Sequence, residues 1–109
     1  MKIWKLDALD PEAHQPEILR SDEGAARVIV LALPEGESLQ EHQVHEHAWL
    51  LLLAGELTVS SGGDNDEIGV GSLVHFDPGE RHVVQARSDA RLLLVLTPWP
   101  GAGHPSQEG

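Results

Sequence analysis

Turn-forming residues divide this chain into short segments, and this division limits its possible folds more than any other feature. Helical periodicity is hard to find, whereas the β-prone runs 27–33 and 48–60 are separated from their neighbours by stretches that contain Gly, Pro, Asn or Asp. The second run is expected to bend or bulge at Gly55. Short strands separated by turn residues are typical of an all-β sandwich or barrel. With 109 residues, the chain has the usual length of one domain, ~100–150 residues. The sequence therefore predicts a single all-β domain over 1–109.

Within this domain we expect a barrel core over about 27–97, with a segment on either side of it. The N-terminal segment, 1–26, is expected to be an edge strand at 3–6 followed by an acidic, proline-containing loop with at most one short strand. The 61–66 stretch has the composition of a hairpin turn. The C-terminal segment, 98–109, holds three prolines and three glycines. It is expected to be a loose tail whose start is anchored by Trp99.

The charge balance argues against some classes of partner. The chain has 7 Lys and Arg against 18 Asp and Glu, a formal net charge of −11. Such a surface repels phosphate backbones and anionic lipid, so neither a nucleic acid nor a membrane partner is expected. We find neither a run of ~20 apolar residues that would span a membrane nor the apolar core of a signal peptide. These observations predict a cytoplasmic protein.

Two glycine-framed segments contain histidines at regular positions. In the first, Gly36 is followed by five residues and His42, and Gly55 lies thirteen positions beyond that histidine (55 − 42). The second, 71–82, has glycines at both expected positions and ends at His82. Together these segments resemble the two motifs of the cupin family, within the RmlC-like cupin superfamily. The resemblance implies a double-stranded β-helix, which is a jelly-roll-like barrel.

The same resemblance implies where a metal would lie. In metal-dependent cupins, two histidines and a glutamate of the first motif join the histidine of the second motif around one ion. In this chain the corresponding positions are held by His42, Val44, Ala48 and His82. Only the two histidines can bind a metal, so the motif is degenerate. This chain looks like small single-domain cupins in which only the first histidine of that motif remains.

Two further histidines follow His42 in a segment expected to be a loop. A bulge between residues 43 and 48 would turn His47, or alternatively His45, into the barrel. The predicted metal site is therefore His42, His47 and His82, with His45 as the alternative to His47. Because the chain has no cysteine, the ion would be held by nitrogen and oxygen donors. Such a site suits Zn, Ni, Fe or Mn.

Other interpretations of these histidines stay open. In one alternative, His42 and His82 are neutral pocket histidines that form hydrogen bonds with each other or with water, without a metal. His75 alternates with Val74 and Phe76, so it is expected to face away from the core, in a hydrogen bond or an interface. His14 and His104 are expected in solvated loops.

Three functions compete at this point. The first is a metal-dependent enzyme that performs oxygenation, isomerisation or lyase chemistry on a small polar molecule. The second is a non-catalytic, metal-free ligand-binding or sensor module, which the apolar Val44 and Ala48 favour. Metal-free acid–base catalysis ranks third, because no inward carboxylate occurs at motif spacing. In each case the partner is a small molecule inside the barrel. We also expect a homodimer, formed through an edge strand and the apolar outer face of the sheet.

Overall fold

The computed structural model of the protein describes residues 1–42 and 44–103, except for the side chains of 40–42. The described residues form antiparallel strands joined by short turns, as expected for an all-β domain. The strands are β1 (Glu17–Ser21), β2 (Arg27–Leu33), β3 (Ser38–His42), β4 (His47–Ala54), β5 (Leu57–Ser61), β6 (Asp64–Ile68), β7 (Leu73–Phe76), β8 (His82–Ala86) and β9 (Ala90–Thr97). A single 3₁₀ turn, Leu6–Ala8, precedes them.

The strands make two facing sheets. One has the order β1-β2-β9-β4-β7 and the other β3-β8-β5-β6, so the chain crosses repeatedly between them. Burial alternates along β4, where Ala48 and Leu50 are buried while Trp49 between them is exposed. This period of two is that of a strand with one face on the core and one face outward.

The core lies between the inner faces of the two sheets. Its most deeply buried leucines come from both of them, with Leu50, Leu52 and Leu92 in the first sheet and Leu57 in the second. Burying one such side chain stabilises the fold by about 1.5–3 kcal/mol. Phe76 of β7 extends this core toward the end of the barrel where β8 begins.

The strand expected over 48–60, with a bend or bulge at Gly55, is divided near that glycine into two strands in different sheets. The chain leaves β4, turns at Gly55 and enters β5 of the facing sheet. Gly55 has a φ of +83°, and a Cβ there would lie 2.3 Å from the carbonyl oxygen of Asp89. Only glycine combines this backbone angle with so close a contact, so the position ends one strand and begins the next.

The N-terminal segment differs from the expectation, whereas the hairpin agrees with it. The strand expected at 3–6 is wrong, because the chain there forms no ladder and Leu6–Ala8 is a 3₁₀ turn. The edge position beside β2 is taken by β1. The turn between β5 and β6 is the two-residue Gly62–Gly63 connection, as its composition indicates. Within the described part of the chain, no helix has the length and apolar character to cross a bilayer.

Candidate functional site

His82 lies at one end of the barrel, where β8 begins. The antiparallel registers place it opposite Ser61 of β5 on one side and opposite His42 of β3 on the other. The side chain of His42 lies outside the described residues, and so does His104. For the predicted pairing of His42 with His82, the structure therefore gives the backbone register, in which the two residues lie opposite each other on neighbouring strands.

The His82 ring is held from two directions. It is only 6% exposed, and it stacks on Phe76 of the facing sheet with ring centroids 3.9 Å apart. Its Nδ1 lies 3.1 Å from the backbone carbonyl oxygen of Glu80. Because a carbonyl oxygen only accepts, Nδ1–H is the donor in this contact. The hydrogen bond and the stacking together fix the plane of the ring.

The Glu80 carboxylate attaches the turn before β8 to the neighbouring strand. Oε2 accepts a hydrogen bond from the Ser61 hydroxyl at 2.5 Å, and Oε1 accepts one from the Asp77 backbone N–H at 2.9 Å. These two bonds lower the pKa of Glu80, with smaller help from His82 and His75, against a partial burial that raises it. The Glu80 carboxylate is therefore ionised at neutral pH. Its hydrogen bonds to Ser61 and Asp77 fix the backbone of the turn whose carbonyl oxygen contacts the His82 ring.

An open cleft of about 480 Å³ lies beside His82. Its walls are the β5–β6 hairpin, residues 60–65, and the start of β8 from Arg81 to Val83. Ser61, Arg81 and His82 all line this cleft. Residues of these types carry hydrogen-bonding groups of the kind that orient a small polar ligand.

The interior position at which metal-dependent cupins bind their ion is apolar in this chain. Val44 and Ala48 offer no donor, and Ala48 is only 2% exposed within the core. Phe76 packs directly against His82. Among the described side chains at this position, His82 alone can bind a metal, and one ligand is too few for a protein metal site. The described side chains therefore supply one of the ligands that the resemblance implies, and the side chain of His42, the other candidate, lies outside them.

A second group of donors lies on the outer face of the five-stranded sheet. His47 of β4 and His75 of β7 share a hydrogen bond, with Nδ1 of His47 2.9 Å from Nε2 of His75. Oδ1 of Asp77 lies 4.0 Å from each of these nitrogens. The three donor atoms all lie within 4.8 Å of one another. The hydrogen bond agrees with the role expected for His75.

His47 and His82 lie on opposite sides of the five-stranded sheet. His75 and Phe76 are consecutive residues of β7, so their side chains point to opposite faces. Phe76 contacts His82, whereas His75 contacts His47. The described side chains thus bring His47 to His75 and Asp77 instead of to His82. Sequence reasoning missed Asp77, because it stands where the second cupin motif has a proline and was therefore assigned no role in a site.

His45 also points away from the barrel, and the loop that carries it is covered by the C-terminal segment. His45 is exposed, while the adjacent Glu46 is only 2% exposed. Oε2 of Glu46 accepts a hydrogen bond from the backbone N–H of Gly101 at 2.6 Å. Trp99 packs against the core beneath the Arg27 guanidinium, which lies 4.9 Å from the ring centroid. The anchoring expected of Trp99 is therefore confirmed.

Comparisons with known proteins agree with this architecture. A family model described as a cupin domain matches residues 29–97. A solved RmlC-like cupin protein from Methanocaldococcus jannaschii, with a double-stranded β-helix fold, superposes with a TM-score of 0.72 at 16% identity. That match covers 92% of this chain and 93% of the other.

Two further relatives have named activities. The chain is 36% identical to L-ectoine synthase from Mycobacteroides abscessus over 58 residues, 53% of this chain and 44% of that protein. It therefore spans less than half the length of this curated relative. Oxalate decarboxylase from Bacillus subtilis, a protein with Mn(II) centres, matches at 25% identity and a TM-score of 0.64. This match covers 67% of the chain and 21% of the decarboxylase.

Proposed function

Because this chain belongs to the cupin family, with its double-stranded β-helix fold, we propose that it binds a small polar molecule at the mouth of its barrel. The observation that carries the proposal is His82, a nearly buried imidazole held in a fixed plane beside a cleft of about 480 Å³. Ser61 and Arg81 line the same cleft. A few polar residues that converge on one pocket are typical of small-ligand sites.

The charge of the cleft and of the whole chain favours one ligand class. The guanidinium of Arg81 suits a carboxylate, which it can bind through two parallel hydrogen bonds. The net charge of −11 and the Asp64 side chain at the cleft disfavour a ligand with excess negative charge. A zwitterion or a monocarboxylate with a polar remainder satisfies both conditions. L-ectoine, named in one relative, is such a zwitterion, whereas oxalate, named in another, is a dianion.

The ligand proposal is tested by calorimetric titration with L-ectoine and oxalate as probes. We expect L-ectoine to bind and oxalate to bind at least tenfold more weakly. His82→Gln and Arg81→Gln should each lower the affinity for L-ectoine, because a polar group left unpaired costs about 1–3 kcal/mol. His14→Gln is the matched control, since His14 is an exposed histidine paired with Glu37.

The titrations distinguish a wrong ligand class from a wrong location. If neither L-ectoine nor oxalate binds, the assignment of the ligand class is wrong. If L-ectoine binds equally well to the wild type and to both cleft variants, the site is not at the mouth of the barrel. Arg81→Gln keeps the test informative if His82→Gln fails to fold, because Arg81 is exposed.

A metal-assisted version of the same site is the competing hypothesis. It would bind Zn, Ni, Fe or Mn through His42 and His82, whose strands are in register at these residues. Such an ion would polarise a bound carbonyl or activate water. Elemental analysis of tag-free protein and of His42→Ala and His82→Ala decides between the versions. About one metal per chain, lost in both variants, supports the metal-dependent form, whereas a metal content that both variants retain contradicts it.

We also propose the homodimer expected from the sequence, formed through the outer face of the five-stranded sheet. Two large apolar side chains support it, because Trp49 is 39% and Leu73 is 62% exposed on this face. Exposed apolar patches of this kind often mark interaction surfaces. Light scattering on wild type and Leu73→Glu is the test, with Val70→Glu as control for an exposed residue outside the sheet. A monomeric wild type would contradict the proposal.

A further inference from the structure

We propose that His47, His75 and Asp77 form a metal site on the outer face of the five-stranded sheet, separate from the barrel mouth, for a divalent late first-row ion such as Zn²⁺. Each residue supplies one donor atom: Nδ1 of His47, Nε2 of His75 and Oδ1 of Asp77. This assignment does not depend on the ligand proposed for the cleft.

The spacing of the three atoms suits a single ion. Their separations are 2.9, 4.0 and 4.0 Å. For a triangle with these sides, the point equidistant from the corners is about 2.1 Å from each, and zinc bonds to imidazole nitrogen and carboxylate oxygen are ~2.0–2.2 Å long. All three donors can therefore reach one ion without displacement of the strands.

The sheet itself supplies the positions. The register of β4 with β7 places Trp49 opposite His75, so His47 is a diagonal neighbour of His75 on the same face. Diagonal neighbours lie within reach of long side chains. Asp77 follows β7 directly and precedes Pro78, and the residue before a proline is restricted to extended backbone. Two strands and one stiff turn therefore hold the group together.

An aromatic side chain further restricts the His75 ring. Trp49 lies against it with ring centroids 4.4 Å apart. A ligand whose rotamer is already limited by packing loses less entropy when it binds an ion. The orientation of the His75 ring toward His47 is thus partly fixed in the absence of a metal.

The donor set selects the class of metal. Two imidazole nitrogens and one carboxylate oxygen suit Zn²⁺ and its neighbours, whereas Mg²⁺ prefers oxygen ligands alone. The side chains of His47 and His75 are 45% and 31% exposed, and that of Asp77 is 72% exposed. In the single chain, water can therefore complete the coordination sphere.

Metal binding to the two imidazoles needs no added acid or base to balance the protons. Without a metal, one N–H of the two neutral rings is shared between His47 and His75. On binding, the ion takes the place of that proton, and the ring that donated it carries the proton on its other nitrogen instead.

Equilibrium dialysis of tag-free protein against Zn²⁺ at pH 7.5 tests the site. We expect one zinc per chain at this site. His75→Gln and Asp77→Asn should each weaken its binding by at least ~10-fold, because loss of groups that merely orient ligands already costs 10–100-fold. His14→Gln, which removes an exposed histidine elsewhere, should leave binding unchanged, and Mg²⁺ should not compete. Because dialysis measures zinc per chain, its result does not depend on whether the protein is a monomer or a dimer.

A second measurement locates the ion independently. Ni²⁺ quenches a nearby tryptophan, and Trp49 is in contact with His75. Quenching should disappear in Trp49→Phe, which retains all three ligands, although nickel still binds. His82→Gln should retain the zinc, because His82 lies inside the barrel.

Three results would overturn the assignment. One is the absence of zinc binding at concentrations up to ~100 μM, where even a modest three-ligand site binds. Another is zinc binding that Asp77→Asn and His75→Gln do not change. The third is zinc that is lost in His82→Gln but retained in Asp77→Asn, which would place the ion at the barrel mouth.

Discussion

Gly55→Ala should destabilise the barrel far more than the same change at Gly36, although the two glycines have nearly identical backbone angles. Their φ values are +83° and +84°, so an alanine pays the same penalty for left-handed backbone at both. The surroundings differ. A Cβ on Gly36 meets nothing within 4 Å, whereas one on Gly55 would lie 2.3 Å from the Asp89 carbonyl oxygen and 2.8 Å from the Ala90 Cα.

The magnitude follows from these two contributions. Left-handed backbone costs an alanine about 1–2 kcal/mol, and the stiffer unfolded chain offsets about 0.4–1 kcal/mol of it. Gly36→Ala should therefore lower the free energy of unfolding by about 0–1.6 kcal/mol. At Gly55 the overlap is with backbone, which must move by about 1 Å, and forced shifts of this kind cost a further 1–3 kcal/mol.

Urea unfolding followed by tryptophan fluorescence measures both variants. For a slope of ~1–3 kcal/mol/M, the midpoint of Gly55→Ala should lie clearly below that of Gly36→Ala, by about 0.5–1 M or more. The reasoning is refuted if the two variants agree to within about 0.5 kcal/mol, the usual scatter of independent substitutions. That result would mean that the turn before β9 relaxes freely around the new methyl group.

Two further predictions concern the carboxylates at the ends of the loops. Because hydrogen bonds lower the folded pKa of Glu80 below 4.5, its stabilisation is complete at neutral pH. It is lost as the pH falls through that lowered pKa, so the melting temperature of Glu80→Gln should fall less between pH 5 and pH 3 than that of the wild type. Glu46→Ala leaves the Gly101 N–H without its acceptor. It should cost about 1–3 kcal/mol in urea unfolding, and Glu46→Gln, which keeps a side-chain carbonyl, should cost less.

Local patterns predicted the architecture because strand pleat and turn chemistry act over a few residues. The 61–66 stretch indicated a hairpin before any pairing was known, and the structure has it, with the turn confined to Gly62–Gly63. The expected strand at 3–6 failed for the complementary reason. A short apolar run becomes a strand only if a neighbour offers a free edge, and here β1 pairs with β2 instead. Which segment pairs with β2 depends on the whole sheet and cannot be predicted from the apolar run alone.

The candidate sites were less predictable, because they depend on contacts between distant residues. The motif spacing indicated His82, and the structure holds it in the barrel mouth beside Phe76. Alternation along β7 also indicated that His75 faces outward. The partner of His75 could not be read in the same way, since His47 meets it only through the register of β4 with β7. Glu46 gave no signal, because its partner is a backbone N–H 55 residues away.

Strand β7 and the turn after it connect the two candidate sites. Consecutive residues send Phe76 inward to His82 and His75 outward to His47. Asp77 follows Phe76. Its backbone N–H donates to the Glu80 carboxylate near the barrel mouth, while its own carboxylate lies near His47 and His75 on the outer face. An ion on the outer face would thus hold the same peptide that positions the His82 ring. The pleat of one short strand therefore suffices to give this barrel a polar site on each side of a single sheet.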